Sequence, residues 1–157
     1  MLSYNQVTNS EINNNGVSIK EIAPIMKLNL RGKKREFFTN VGKSLNMILP
    51  TEANTSSSSD KLTAIWLSPD EWMIVSNETT SKETNTYELN DILFNNISKT
   101  SLGAVTAVTD QFVQLEIKCD KRYELFSSGC PFNFNLFVRR TFAKHLWEWM
   151  EDSSSRL

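Results

Sequence analysis

The sequence predicts an α+β fold with a ferredoxin-like core, in which the elements follow the order β-α-β-β-α-β and an antiparallel sheet carries both helices on one face. Two observations predict it: apolar residues recur at helical spacing in two segments, and apolar runs with strand character flank those segments. The chain of 157 residues has the length of one domain. We expect 1–17, which is polar and lacks periodicity, to be a flexible N-terminal arm and 18–157 to form a single α+β domain.

The first strand and the first helix are predicted between residues 25 and 50. An extended apolar stretch from Ile25 to Leu30 follows Pro24 and is closed by Arg31-Gly32, which is typical of a strand. The next apolar residues share one helical face, which predicts a helix that ends before Pro50. Those residues are Phe37, Phe38, Val41, Leu45 and Ile48.

A polar loop and a hairpin are predicted next. Residues 51–60 contain a run of serines, which favours a loop with nothing to bury. The segments 62–67 and 72–75 are apolar and partly β-branched. Between them, residues 68–71 read Ser-Pro-Asp-Glu, and Pro with Asp favours a tight reversal.

A second helix and two strands complete the predicted core. The apolar residues of the helix share one face, with Tyr87 as a further candidate. They are Leu89, Ile92, Leu93 and Ile97. Gly103 to Val108 is predicted to be a strand. An additional strand follows, because apolar and polar residues alternate from Val113 to Lys118 with the period of a sheet that has one polar face.

Two helices are predicted at the C-terminal end, one from Asp120 to Ser127 and one from Thr141 to Met150 with Thr141 as its N-cap. Trp147 and Trp149 are two positions apart on the second of these, about 200° around the axis. If one enters the core, the other points outward. An outward tryptophan is typical of an interface anchor, and partial cover by a neighbouring loop is the alternative.

Composition and charge exclude several classes of partner. The formal net charge is −1, which gives no general attraction to nucleic acid or to an anionic membrane. The first fifteen residues lack the basic segment and apolar run of a secretory signal, and no apolar stretch is long enough to span a bilayer. We therefore expect a cytoplasmic protein in which Cys119 and Cys130 are reduced, structural thiols.

Residues that commonly carry chemistry are sparse. His145 is the only histidine, and packing or a surface position is favoured over a role as general base. One histidine and two cysteines do not make a zinc-site spacing, and the scattered glycines do not make a nucleotide loop. The basic clusters at 33–35 and 139–140 favour a solvated face or a partner contact over RNA binding. We expect no catalytic, cofactor or metal site on this chain.

Four stretches carry a resemblance to a known family. Residues 64–75 read AIWLSPDEWMIV, residues 108–111 read VTDQ, and residues 128–132 read SGCPF. The tail at 137–149 reads FVRRTFAKHLWEW. In this order and spacing, over most of residues 20–151, they resemble the gamma subunits of heterotetrameric sarcosine oxidase, whose tryptophan-rich hairpin usually reads WLGPDEWLLV.

The resemblance implies the fold of the tetrahydrofolate-binding aminomethyltransferase of the glycine cleavage system. It implies that the cofactors lie on partner subunits, with NAD and tetrahydrofolate on alpha, FAD on beta, FMN between those two, and zinc on delta. The implied role is to dock chiefly to alpha and to support a complex that demethylates sarcosine to glycine, forming peroxide and methylenetetrahydrofolate. The candidate partner-interface residues are Trp66, Trp72, Arg139, Arg140, Trp147 and Trp149.

The sequence departs from the family's pattern at one point. Relative to that pattern, a segment the length of a hairpin is missing between Asn135 and Leu136. A sheet edge exposed by such a loss would need a partner. An alternative function, which rests on fold analogy alone, is a stand-alone tetrahydrofolate-dependent aminomethyltransferase-like protein.

Overall fold

A computed structural model describes residues 6–8, 11–14, 16–77, 84–119 and 133–156. The chain divides into two compact units, one formed by residues 25–109 and one that combines 1–24 with 110–157. The described strands are β1 (Ile12–Asn14), β2 (Val17–Glu21), β3 (Lys27–Gly32), β4 (Ser56–Ser58), β5 (Leu62–Ser68), β6 (Glu71–Ser76), β7 (Gly103–Ala107), β8 (Phe112–Cys119) and β9 (Asn133–Arg139). The described helices are α1 (Arg35–Leu45), α2 (Thr84–Leu93), which continues as a π-helical turn at Phe94–Ser98, and α3 (Arg140–Ser155).

The unit formed by residues 25–109 contains a five-stranded antiparallel sheet with the strand order β4-β5-β6-β3-β7. β3 lies between β6 and β7, so that Leu30 is paired with Trp72 on one side and with Val105 on the other. β5 and β6 form the predicted hairpin. The four strands predicted in this region are therefore confirmed as β3, β5, β6 and β7, with ends that differ from the prediction by a few residues.

Both helices of this unit contribute to one hydrophobic core. Leu28 and Leu30 share a face of the sheet with Trp72 and Ile74, because alternate residues of a strand point to the same side. The helical residues of the core are Phe37, Val41 and Leu45 of α1, with Leu93 and Ile97. Each of these side chains is 5% exposed or less, and burying one such side chain contributes about 1.5–3 kcal/mol.

The end of α1 differs from the prediction. The helix ends at Leu45 because Asn46 adopts a left-handed conformation, with φ of 50°, and turns the chain away from the helix axis. Ile48 was predicted to lie on the buried face and is instead 86% exposed. Leu49 is buried in its place, at 4% exposure. Helical spacing ceases to identify core residues once the helix has ended.

A second difference is β4, which lies where a loop was predicted. Ser56–Ser58 pair with β5, with Ser56 opposite Ile65 and Ser58 opposite Thr63. The hydroxyl groups of Ser58 and Thr63 are 3.0 Å apart, within hydrogen-bonding distance. Polar residues form this edge strand because the backbone groups that join strands are the same for every non-proline residue.

The second unit contains a four-stranded antiparallel sheet with the order β1-β2-β8-β9. The alternation predicted for residues 113–117 is confirmed, since Val113, Leu115 and Ile117 are all 1% exposed or less. β8 belongs to this sheet and not to the sheet of residues 25–109, so the prediction of one sheet is wrong. α3 packs against the apolar face with Ala143, Trp147 and Met150.

α3 begins and ends differently from the prediction. Its N-cap is Arg139, which has extended backbone angles and makes no capping hydrogen bond with its side chain, so Thr141 is a first-turn residue and not the N-cap. The helix extends to Ser155. The predicted helix at 120–127 and the SGCPF motif lie outside the described residues. Asn135 and Leu136 lie inside the continuous strand β9, opposite Glu116 and Leu115.

The N-terminal segment contributes two strands that the sequence pattern did not predict. β1 pairs with β2, and Ile12, Val17 and Ile19 belong to the core of this unit. Val7 and Thr8, which precede β1, are bound to Glu21 at the end of β2. The Glu21 carboxylate accepts hydrogen bonds from the backbone N–H groups of Val7 at 2.9 Å and Thr8 at 2.8 Å, and from the Thr8 hydroxyl at 2.8 Å. The predicted division into an arm and a single domain stays a prediction.

Candidate partner interface

The tryptophan-rich hairpin places its two rings on the core side of its sheet. Trp66 and Trp72 are cross-strand partners, so both side chains point to the same face. Trp66 is half-buried against the core, and Trp72 is 1% exposed. Leu67 interrupts the register as a bulge residue next to the turn, and its side chain is 41% exposed. Leu67 is the apolar side chain that this hairpin presents to solvent.

Trp72 is held on three sides. Its ring meets Phe37 at a centroid distance of 5.8 Å and Phe38 at 5.3 Å, the latter with an edge-to-face angle of 82°. Its indole Nε1–H donates to the carbonyl oxygen of Pro50 at 2.7 Å. A buried indole needs such an acceptor, and the arrangement satisfies both its apolar and its polar part. Trp72 therefore acts in this chain as a core residue.

The turn of the hairpin carries charged groups. The Ser68 hydroxyl donates to Asp70 at 3.0 Å, and this hydrogen bond, aided by the nearby cations Lys33 and Arg31, holds the pKa of the Asp70 carboxyl below its ordinary value. The closest ion-pair distances are 3.7 Å from Lys33 and 3.9 Å from Arg31, whose side chains are largely exposed. Such exposed pairs contribute little stability, so their cationic groups are available to a partner.

α3 carries aromatic side chains on two different faces. Trp147 is 5% exposed and packs in the core, whereas Trp149 is 47% exposed. This confirms that the two rings cannot share a face. Phe142 is 61% exposed and was not singled out from the sequence, although it precedes Trp149 by two helical turns and shares its side of the helix. Arg139 is exposed at the start of α3, and Arg140 is half-buried.

The structure divides the six predicted interface residues between the two units. Trp66 and Trp72 belong to the unit of residues 25–109, and the remaining four belong to the other unit. Trp72 and Trp147 lie in the two cores, so only four of the six predicted interface residues have side chains that reach the surface. These are Trp66, Arg139, Arg140 and Trp149, to which the exposure of Phe142 and Leu67 adds two apolar side chains.

The residues considered for chemistry lie apart. His145 is exposed on α3, as expected for a surface histidine. Within the described ranges, no group of three or more His, Cys, Asp or Glu side chains is arranged to hold a metal ion. Residues 33–35 are exposed at the start of α1, and Cys130 lies outside the described residues. None of the helices that the structure describes has the length and apolarity required to span a bilayer.

Comparison with known proteins identifies structural neighbours. No family model matches the chain, and no curated protein sequence matches it. The fold is similar to a chain of the heterotetrameric sarcosine oxidase from Corynebacterium sp. U-96, solved with pyrrole 2-carboxylate, with a TM-score of 0.75 and 16% identity. That similarity covers 93% of this chain and 88% of the other. At this level of identity it establishes a shared fold.

A second neighbour is the aminomethyltransferase T of the glycine cleavage system from Bartonella henselae. Its TM-score is 0.55 at 15% identity, and the similarity covers 87% of this chain. The matched region is 46% of the aminomethyltransferase, so this chain spans about half of that protein. The expected likeness to an aminomethyltransferase-type fold is therefore confirmed at the level of fold.

Proposed function

We propose that this chain is a noncatalytic gamma-type subunit of a heterotetrameric sarcosine oxidase, which docks to the alpha subunit and supports the assembly. One observation carries the proposal. The fold matches a chain of such an oxidase over nearly its whole length, 93% of one and 88% of the other. The match to the aminomethyltransferase covers only 46% of that protein. A chain that corresponds to a whole subunit is better explained as a subunit than as a shortened enzyme.

The proposal assigns the cofactors to the partners. NAD and tetrahydrofolate would be bound by alpha, FAD by beta, FMN between alpha and beta, and zinc by delta. The complex would oxidatively demethylate sarcosine to glycine, with formation of peroxide and methylenetetrahydrofolate. This chain would contribute docking surface, and the surface candidates are the outward side chains of α3 together with Trp66 and the cations beside the hairpin turn.

We also interpret the unit of residues 25–109 as the ferredoxin-like core of this subunit. Leaving the short β4 aside, its elements run strand, helix, hairpin, helix, strand, and the sheet order is β5-β6-β3-β7. The two central strands are thus the first and third in sequence, which is the arrangement of a split βαβ fold. The second sheet would then be an addition specific to this architecture.

The experiment that tests the role as a subunit is co-expression with alpha, beta and delta partners, with an affinity tag on this chain alone. The expected result is a complex with equal amounts of this chain and alpha. The purified chain alone should bind no flavin and should not oxidise sarcosine. Recovery of the chain without alpha, or oxidase activity of the isolated chain, would contradict the proposal.

A matched pair of variants locates the docking surface within that experiment. Trp149→Ser changes a half-exposed ring, and Trp66→Ser changes the half-buried ring of the hairpin. We expect loss of alpha from the complex with whichever ring contacts it, at unchanged secondary structure by circular dichroism. Lys43→Glu on the exposed side of α1 is the control and should leave assembly unchanged.

The alternative function is a tetrahydrofolate-dependent aminomethyltransferase-like protein. The fold similarity to aminomethyltransferase T favours it, although this chain spans about half of that protein. Isothermal titration of the isolated chain with tetrahydrofolate distinguishes the two functions. Saturable binding with one site per chain would favour the transferase, whereas no heat of binding beside a stable complex with alpha would favour the subunit.

A further inference from the structure

The unit of residues 25–109 is inserted into the other unit. It is one continuous segment, whereas the other unit is assembled from residues 1–24 and 110–157. The strands on either side of the insertion, β2 and β8, are nevertheless neighbours in one sheet, and Val17 lies opposite Cys119 across the whole insertion. Formation of the second sheet therefore requires two parts of the chain that are far apart in sequence to meet.

The two ends of the inserted unit are joined by hydrogen bonds. The backbone N–H of Lys27 donates to the Thr109 hydroxyl oxygen at 3.0 Å, and the N–H of Val108 donates to the Lys27 carbonyl oxygen at 2.9 Å. The Lys27 side chain is fully buried, and its ammonium group donates to the carbonyl oxygen of Ile25 at 3.2 Å. These bonds extend the pairing of β3 with β7 to the points where the chain enters and leaves the unit.

β2 and β8 remain paired up to the insertion. Glu21 lies opposite Leu115, and beyond this pair the N–H of Ile22 donates to the carbonyl oxygen of Gln114 at 3.0 Å. On either side of the insertion, only a few residues of chain lie between the last hydrogen bond of this sheet and the first hydrogen bond of the inserted unit. While it is folded, the inserted unit is therefore a short connection between β2 and β8.

Unfolding of the insertion would turn this short connection into a long loop. The entropy lost when a flexible loop closes grows with the logarithm of its length. Replacing a connection of about ten residues by a loop of roughly 90 lowers the probability that its ends meet by about 25-fold. The contacts between β2 and β8 would have to compensate for this loss.

We infer that the folded 25–109 unit is a conformational device that holds β2 and β8 together and stabilises the second sheet through the chain connection. α3 packs against this sheet through Ala143, Trp147 and Met150, so the position of α3 depends on the same connection. A chain whose inserted unit is unfolded presents the outward side chains of α3 in a smaller fraction of its molecules. The inference concerns the folding of this chain and is independent of the function proposed above.

A circular permutant that keeps every residue of the chain tests the inference. Asp110 becomes its first residue and Thr109 its last, and a flexible linker of about ten residues joins the original ends. The side-chain amide of Asn14 donates to the Ser154 hydroxyl at 3.4 Å, so β1 lies beside the end of α3 and the segments to be joined are close. In the permuted order the second unit is one continuous segment, and its sheet no longer needs the inserted unit as a connection.

Leu30→Asp with Trp72→Asp unfolds the inserted unit in both chain orders, because it places two charges in a core where these side chains are at most 1% exposed. Hydrogen exchange read by mass spectrometry measures the protection of the β2 and β8 amides. In this double variant we expect roughly tenfold lower protection in the natural order than in the permuted order, since the natural order leaves the longer loop. Without the substitutions, the two chain orders should protect these strands to a similar degree.

The matched control places two charges at exposed positions of the same unit. Thr39→Asp with Lys43→Asp, both on α1, should leave the protection of β2 and β8 unchanged in either chain order. The amides of β3 and β6 should lose protection in the core variant and keep it in the control, which verifies the state of the inserted unit. Equal protection of β2 and β8 in the two orders of the core variant, whether both keep it or both lose it, would overturn the inference.

Discussion

The two units treat their tryptophans differently. In the unit of residues 25–109, Trp66 and Trp72 are cross-strand partners and both rings point toward one core. In the other unit, Trp147 packs in the core and Trp149 points outward, because residues two apart on a helix lie on nearly opposite sides. Cross-strand pairing therefore directs both tryptophans of the hairpin to one core, whereas helical geometry leaves one tryptophan of α3 at the surface. We expect the hairpin to contribute mainly stability and α3 to contribute both stability and contact surface.

The largest expected effect is at Trp147. Trp147→Ala should lower the free energy of unfolding by about 3–5 kcal/mol, because it leaves a cavity between α3 and its sheet. Trp149→Ala, two residues away and 47% exposed, should lower it by less than about 1 kcal/mol. Urea denaturation monitored by circular dichroism measures both. Equal losses at the two positions would remove the distinction between a buried and an outward ring.

The next effect concerns the approach of Phe37 to the sheet in the first unit. A Cβ atom on Gly32 would overlap the ring of Phe37, which packs directly over that position. Gly32→Ala should therefore cost about 1–3 kcal/mol through overpacking. Gly42→Ala, in the middle of α1, is the matched control, since its new methyl group would come no closer than 3.4 Å to the nearest atom, the carbonyl oxygen of Met47. It should stabilise the protein by about 0.4–1 kcal/mol.

A smaller effect is expected when the hydrogen bond of Trp72 is removed but an aromatic ring is kept. Trp72→Phe removes the donor to the Pro50 carbonyl, 2.7 Å away, and should cost about 1–2 kcal/mol. The edge-to-face contact with Phe38 should persist, so far-ultraviolet circular dichroism should not change. A loss as large as that of Trp147→Ala would mean that ring size, and not the hydrogen bond, decides stability at this position.

The smallest effect involves the polar face of the second sheet. Lys20 and Lys118 approach Glu116 at 2.9 and 3.1 Å, and their hydrogen bonds lower the pKa of its carboxyl from the ordinary value of about 4.5. Because the folded-state pKa is depressed, the contribution of this carboxylate is present above about pH 4.5 and is lost as the pH falls through the lowered value. Glu116→Gln should remove less than about 1 kcal/mol at pH 7.

The pH series provides the control for that variant. The difference in unfolding free energy between wild type and Glu116→Gln should shrink as the pH is lowered from 7 to about 3, and added salt should reduce it at pH 7. A difference that is constant over this range would mean that the carboxylate charge has no part in it. The comparison with Trp147→Ala then ranks charge pairing on a solvated face well below packing in the core.

Regular spacing made most of the fold predictable from the sequence. The strand at Val113 to Ile117 and the helix through Leu93 and Ile97 were predicted because their apolar residues repeat at the period of the element that buries them. Ile92 was predicted on the same helix face and is instead 42% exposed. β4 was missed because its serines carry no such pattern and pair only through the backbone. Ile48 was misplaced because the left-handed Asn46 ends the helix, and a single asparagine gives only a weak signal for that conformation.

The candidate surface was predicted less completely than the fold. Trp147 and Trp149 were correctly separated by helical geometry, but nothing in the sequence tells which of the two faces the sheet. Phe142 was overlooked, although its spacing of seven from Trp149 indicates a shared helix face. Trp72 is one of the candidate interface residues named with the family resemblance, whereas in the structure Phe37, Phe38 and the Pro50 carbonyl enclose it.

By itself the sequence determined the types and order of the elements from β3 to β8 apart from β4, and the helix α3, because these depend on local conformation and on the period of apolar residues. The tertiary structure alone decided that β8 and β9 join β1 and β2 in a second sheet, since strand partners far apart in the chain leave no periodic trace. It also decided which aromatic rings remain in contact with solvent. Burial depends on what the rest of the chain places over a residue, and that is a property of the fold and not of any segment.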